Sequence, residues 1–227
     1  MCFSANASFA SAVILSVVGI TSIRRTTSSS QLAFGAVPFV FAIQQLSEGF
    51  VWLSVTDPFF VGWQGVSIYT FLIFAHIVWP TWIPLSILML EKNEQRKKIL
   101  RVLLGIGMLL SFSYASCLII YPVTAEAAGY HIQYRLNYPV VFLETGSAFY
   151  GLATVLPEFI SSVRRMRWLG LFIALSYVVT YIFYQQYIIS VWCYFAALIS
   201  VIIYWVLKGV NQFYITGRFT NFKIRRI

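Results

Sequence analysis

The chain has 227 residues, of which 59% are hydrophobic and only 10% charged, against roughly 25% charged in an ordinary soluble domain. Aromatics at 18% and a mean hydropathy of +0.79 exclude a disordered chain, and so little charge would not cover a soluble fold. The net charge of +9, from 16 Lys+Arg and 7 Asp+Glu, falls in short clusters between long uncharged runs. That is the pattern of loops that hold a membrane orientation, so no nucleic-acid partner is expected.

A transmembrane helix needs roughly 20 mostly apolar residues, and the chain offers seven such runs. The first spans about residues 8–23 and stops at Arg24 and Arg25. The second, 32–54, ends at Thr56, Asp57 and Pro58; the third, 66–90, runs into the charged stretch 91–98. The fourth, 102–121, is closed by Pro122, and a polar connection over 124–137 leads to the fifth, 139–160. Residues 168–207 carry no charge over 40 positions. At 1.5 Å per residue this is about 60 Å, enough for two crossings. The polar Tyr184-Gln185-Gln186-Tyr187 is the natural fold-back, giving spans over 168–186 and 189–207. The fold class read from the sequence is therefore an all-α, seven-helix membrane domain over 1–208. A basic, aromatic tail over 209–227 follows it, expected to lie along the inner surface.

Alternate connections and the tail hold 15 of the 16 basic residues, and Arg135 alone lies on the other side. Basic loops stay on the cytoplasmic side, so the N-terminus is expected outside and the C-terminus inside a plasma membrane.

An ionisable group inside a membrane span is costly and marks a candidate site. Glu48 lies in the second run, with Gln44 and Gln45 at i−4 and i−3 on the same helical face. His76 lies in the third run and Glu144 in the fifth. Glu91, Glu158 and Lys208 fall near predicted ends, where side chains reach water. With the N-terminus outside, Glu48, His76 and Glu144 all sit in the outer half, about 7–15 Å below the surface. Cys117, Cys193, Gln185, His131 and Cys2 belong to the same side. After His76 come Trp79, Pro80, Trp82 and Pro84. A helix proline leaves the carbonyl four residues earlier unpaired, which predicts a kink there with the His76 carbonyl freed.

Three chemistries fit this set. His76, Glu48, Cys193 and His131 are possible ligands for zinc or another divalent metal. Glu48 or Glu144 would then serve as general base in hydrolysis of a lipid or small substrate. Gln44, Gln45, Trp79 and Gln185 would line a substrate pocket, with Cys2 and Cys117 nearby. Alternatively, Glu48 and His76 exchange protons in a non-enzymatic carrier or sensor of a small molecule. In the third reading they pair with each other to hold helices together. No HExxH or comparable spacing is present to choose among them.

The opening Met1-Cys2-Phe3-Ser4-Ala5-Asn6-Ala7-Ser8-Phe9 resembles a bacterial family of membrane proteins beginning MCFSA-x-ASF. Pro38-Phe39 through Gln44-Gln45-Leu46-Ser47-Glu48-Gly49-Phe50-Val51-Trp52 resembles its second-helix segment, and Val191-Trp192-Cys193-Tyr194-Phe195 its last. The resemblance implies seven helices and no particular activity. A weaker, fold-level similarity links the chain to membrane hydrolases of the alkaline ceramidase and adiponectin-receptor type. Their paired HxxxH is missing, and with two histidines a three-His zinc site is out of reach.

Overall fold

Ser4 sets the start of the first helix, its side chain accepting a hydrogen bond from the Ala7 N–H at 3.2 Å. A free first-turn donor is thereby satisfied. The computed structural model describes residues 4–210, with the side chains of 140–144 excepted. Helix α1, Ala5–Arg24, buries Ser8, Ser11, Ala12, Leu15, Gly19 and Ser22, a stripe recurring every three or four residues. It packs along α3, Val37–Thr56. Small residues let two helices approach closely: a Cβ on Gly19 would lie 2.6 Å from the Phe39 backbone nitrogen. The short α2, Ser29–Gly35, precedes α3.

Asp57 caps a 3-10 turn over Pro58–Trp63, accepting from the Phe59 N–H. The next span consists of α4, Gln64–Ile73, a π-helical turn at Phe74–Val78, and α5, Trp79–Leu90. Within the charged stretch 91–98, residues 91–93 are a connection and 94–98 form the first turns of α6, Glu94–Ile120, because Asn93 caps it by accepting from the Arg96 N–H at 3.1 Å. An i,i+3 pair, Lys97 to Glu94 at 2.8 Å, follows.

The connection read as polar loop is an antiparallel hairpin, β1 Val123–Ala128 and β2 His131–Leu136. Gly129 has φ +61°, and among the described residues no non-glycine has positive φ, the pattern of a two-residue type II′ turn. Ala125 faces Tyr134 and Ala127 faces Ile132 across the ladder. Tyr134 stacks on Phe71 of α4 with centroids 4.9 Å apart.

The fifth run is broken into α7, Val140–Thr154, and α8, Leu156–Ile160. Pro157 would clash with the Ala153 carbonyl in a continuous helix, whereas a first helical turn tolerates it. Helix α9, Met166–Phe183, leads to a 3-10 turn at Gln185–Tyr187, then α10, Ile188–Ile199. A last helix, α11, Ile202–Val210, is bent 44° from the segment before it. Among the described residues, five helices are long and apolar enough to cross a membrane, and six if the bent pair is one span.

Hydrogen bonds tie the connections together at one end. Glu91 accepts from the Lys92 and Asn93 N–H groups (both 2.9 Å), from the Ser162 N–H (2.7 Å) and from the Ser162 hydroxyl (2.7 Å). Desolvation pushes its carboxyl up, but the bonds from Asn93, Ser162 and Lys92 outweigh this and hold it below the ordinary carboxylate value. Arg96 donates to the Ile160 carbonyl, and Arg165 to that of Trp205, whose ring it covers at 4.6 Å. Glu91 and Glu158 are thus buried, 3% and 1% exposed, rather than reaching water as expected; Lys208 is exposed. The hairpin and the Gln185–Tyr187 turn lie together at the opposite end.

Two apolar clusters fill the interior. One gathers Leu15, Phe34, Phe41, Trp79, Leu100 and Leu207 toward the basic end; the other joins Val51, Phe71, Leu72, Leu118, Ile132 and Tyr134 under the hairpin.

Candidate functional site

The site begins with the backbone of the third span. In the π-helical turn the Trp79 N–H bonds to the Phe74 carbonyl, five residues back. Continuing that register, position 80 would serve Ala75, but Pro80 has no N–H. The Tyr150 hydroxyl of α7 supplies the missing donor, reaching the Ala75 carbonyl at 2.6 Å. The kink therefore frees the Ala75 carbonyl, because the π turn shifts the ladder by one residue. A second support comes from α6. Ser111 Oγ donates to the Ile77 carbonyl at 2.8 Å, so the Thr81 hydroxyl, 2.9 Å from Ser111 Oγ, donates to it. Gly107, with no Cβ, lets α6 rest against the Pro80 carbonyl.

His76 is swung inward by this turn and is 7% exposed. Its ring stacks on Tyr114 with centroids 4.7 Å apart. The Tyr114 hydroxyl lies against Gly146 of α7, where a Cβ would not fit. His76 Nδ1 has no partner among the described residues. The His76 side chain lines a cavity of about 150 Å³, walled also by Tyr114, Tyr150, Tyr177, Trp192 and Cys193. Leu136, Ile188 and Ile189 form the rim under the hairpin. Trp192 is set between Tyr150 and Tyr177, edge to face at 5.3 and 5.0 Å. Its Nε1 also has no partner among the described residues.

A second, smaller cleft of about 40 Å³ shares Tyr150, Trp192 and Cys193 with this cavity as walls. Its walls are almost wholly apolar and include Phe34, Phe41, Trp79, Leu169, Ile173 and Ile203. Trp79 stacks on Phe41 at 3.8 Å and donates to Gln44 Oε1 at 2.7 Å.

Glu48 does not line either space. It is fully buried, takes a hydrogen bond from the Ser190 hydroxyl of α10, and accepts from Gln45 Nε2 at 3.1 Å. Among the described residues no hydrogen bond or ion pair joins it to His76. Glu48 and His76 therefore belong to two neighbouring groups of side chains, one bonded to Ser190 and Gln45 and the other lining the cavity. Cys193 lies between them, its thiol beside Gln44 and Glu48 and its side chain against the cavity.

The remaining candidates are dispersed. His131 is in β2, stacked on Tyr187 at 4.7 Å, and burial there lowers its pKa from the ordinary value. Gln185 borders a hollow of about 200 Å³ under the hairpin. Cys117 is a buried free thiol in the apolar cluster under the hairpin, and Cys193 is also a free thiol. Cys2 and the Glu144 side chain lie outside the described residues. Among the described residues, no three His, Cys, Asp or Glu side chains are grouped to hold a metal ion.

Sequence reasoning missed Tyr114, Tyr150, Tyr177, Ser190 and Trp192. For Tyr114 a signal existed: Ser111, Tyr114 and Cys117 recur every three residues on one face of an otherwise apolar helix. Tyr150 and Ser190 carry none, because their partners are 75 and 142 residues away.

No curated protein and no solved structure matches the chain. A family model does, over residues 1–213, which include all three segments that carried the sequence resemblance. The chain belongs to that family, a family of unknown function (DUF6629).

Proposed function

We propose that this protein is a multi-pass membrane protein of the bacterial plasma membrane that binds a small, uncharged amphipathic molecule within the bilayer. The observation that carries the reading is the pair of adjacent spaces that share Tyr150, Trp192 and Cys193 as walls. It has polar groups toward the hairpin and almost none in the inner cleft. Pockets that hold small ligands combine mostly apolar walls with a few placed polar groups.

The topology that goes with it has seven crossings, N-terminus outside, with α7 and α8 together as one broken span. Its support is the sharing of one end by Arg25, Glu91, Ile160, Arg165 and Trp205, while the hairpin occupies the other. The clusters of basic residues fall at the first end. The hairpin is then external, and the pocket opens outward beneath it.

A carrier or sensor accounts for these features more economically than a metal hydrolase. Among the described residues, His76 and Cys193 are the only His, Cys, Asp or Glu side chains walling the cavity, and catalytic zinc takes three protein ligands.

The test is the thermal unfolding midpoint of the detergent-purified full chain, measured with decanol, decylbenzene and a decyl-substituted benzoquinone. At least one should raise the midpoint of wild type, and none should raise that of Ile189→Trp, which fills the rim. No shift with any of the three would refute the binding reading. One equivalent of transition metal, lost in His76→Ala, would restore the hydrolase reading in its place.

A further inference from the structure

At the basic end, the start of α9 and the end of α11 meet in a corner whose charge is not balanced. Its reading as a binding surface rests on the chain spanning a membrane and not on the cavity. Arg165 makes the joint. Its guanidinium donates to the Trp205 carbonyl at 2.8 Å and covers the Trp205 ring at 4.6 Å. Gly209 leaves it room, since a Cβ there would lie 2.6 Å from Arg165 Cδ. Arg25 reaches the same helix from α1, over the Tyr204 ring at 5.5 Å. Arg164, Arg167 and Lys208 flank the joint and are exposed, and among the described residues they make no hydrogen bond or ion pair.

No acid of the chain compensates these cations. Residues 161–168 and 201–210 contain none. Glu91 is buried and already accepts from Lys92, Asn93 and Ser162. Glu94 pairs with Lys97 and Arg101, and Glu158 is 1% exposed. Arginine forks fit a phosphate through paired N–H groups, and a lysine adds a point charge. The surroundings are apolar and aromatic. The Trp168 and Trp205 side chains are 53% and 43% exposed, and indoles beside cations mark the headgroup level of a bilayer. From Trp168, the exposed Leu171 and Leu175 continue along α9 at helical spacing. From Trp205, the exposed Val201 and Leu198 continue along α11 and α10. Helices α9 and α10 pack on each other, so the two apolar stripes leave the corner as neighbours. A soluble anion would use the cations and leave the stripes unused.

We propose that this corner seats a phospholipid with two phosphates, cardiolipin. Its phosphates lie among Arg164, Arg165, Arg167 and Lys208, and its acyl chains follow the exposed stripes of α9 and of α10 and α11. Basic pockets between membrane helices on the cytoplasmic side recognise such headgroups. An anionic lipid with one phosphate offers less charge to the same cations, and a zwitterionic lipid adds an ammonium group that they repel.

The experiment follows the unfolding midpoint of the detergent-purified full chain on titration with cardiolipin, phosphatidylglycerol, phosphatidylethanolamine and inorganic phosphate. Cardiolipin should raise the midpoint, with an affinity about tenfold or more above that of phosphatidylglycerol at equal phosphate. Phosphatidylethanolamine and inorganic phosphate should leave it unchanged. Arg164→Gln, Arg167→Gln and Lys208→Gln combined should weaken cardiolipin about tenfold or more. Lys97→Gln, Lys98→Gln and Arg101→Gln combined remove the same charge elsewhere at this end, and should weaken it less than about twofold. No shift with cardiolipin, equal affinity for phosphatidylglycerol, an equal shift with inorganic phosphate, or equal loss in the two variants overturns the proposal. So does binding untouched by the first variant. Native mass spectrometry of wild type alone guards against variants that do not fold. A bound cardiolipin should survive activation that strips phosphatidylglycerol, and loss of both together overturns the proposal. Each of these failures leaves the cavity reading standing, and failure of the cavity ligands leaves this site standing.

Discussion

Replacing Tyr150 with Phe isolates the bond that closes the π turn. The ring and its edge-to-face contact with Trp192 are kept, and only the hydroxyl bonded to the Ala75 carbonyl is lost. A buried carbonyl left without a donor costs about 1–3 kcal/mol, so Tyr150→Phe should destabilise by that amount in the native sequence. The same change in a Pro80→Ala background should cost much less. In that background position 80 carries a backbone N–H where the π register lacks one, or the helix returns to the α register. In either case the Ala75 carbonyl gains a partner. The coupling energy should be about 1–2 kcal/mol, as for residues sharing one network. The assay is reversible unfolding in mixed micelles for the wild type, both single variants and the double variant. Strict additivity would refute the assignment of the Tyr150 hydroxyl as the substitute for the proline's missing donor.

Two further outcomes test the packing and the basic end. Gly19→Ala should destabilise more than Gly49→Ala, as compared by unfolding midpoint. The new Cβ at 19 meets Phe39 backbone at 2.6 Å, while that at 49 meets only the Phe9 ring, which can swing away; the reverse order would contradict this account of α1–α3 packing. Glu91→Gln should cost about 2–4 kcal/mol at neutral pH, because the amide cannot accept all four bonds and sets an N–H₂ against a donor. Its native carboxyl is held below the unfolded value of 4.5, so the stability it adds is present above that pH and is lost as pH falls through the folded value. Midpoints followed from about pH 6 to pH 3 should therefore fall more steeply for wild type than for the variant.

The long apolar helices were legible because membrane burial removes charge over whole spans, and charge is easily read. Their internal breaks were less so. Pro80 and Pro84 marked a kink, but which carbonyl it frees depends on a one-residue register shift that has no signature in residue type. Pro157 lay inside an apolar run long enough to pass as one helix. The hairpin escaped notice because three of its β1 positions are alanine, which gives weak alternation, and its stability comes from Phe71 and other residues far along the chain. The face shared by Gln44, Gln45 and Glu48 was readable from spacing alone. Its true partners, Ser190 and Trp79, were not, since only the fold brings α10 and α5 against α3.

The π turn also changes the phase of the helix that contains it. An extra residue in one turn rotates everything that follows by about 100° relative to an unbroken α-helix. Ile68, Phe71 and Leu72 before the turn, with Ala75 inside it, face the cluster under the hairpin, whereas Trp79, Ile87 and Leu90 after it face the cluster near the basic end. One rod thus serves two interiors that an ideal helix would not serve with the same residues. Converting this turn to regular α-helix at constant length would turn Trp79 away from Gln44, whereas deleting one residue within it would let an ordinary α turn keep Trp79 in place. The constraint is therefore on matching the number of residues in this turn to its register, five to a π turn or four to an α turn.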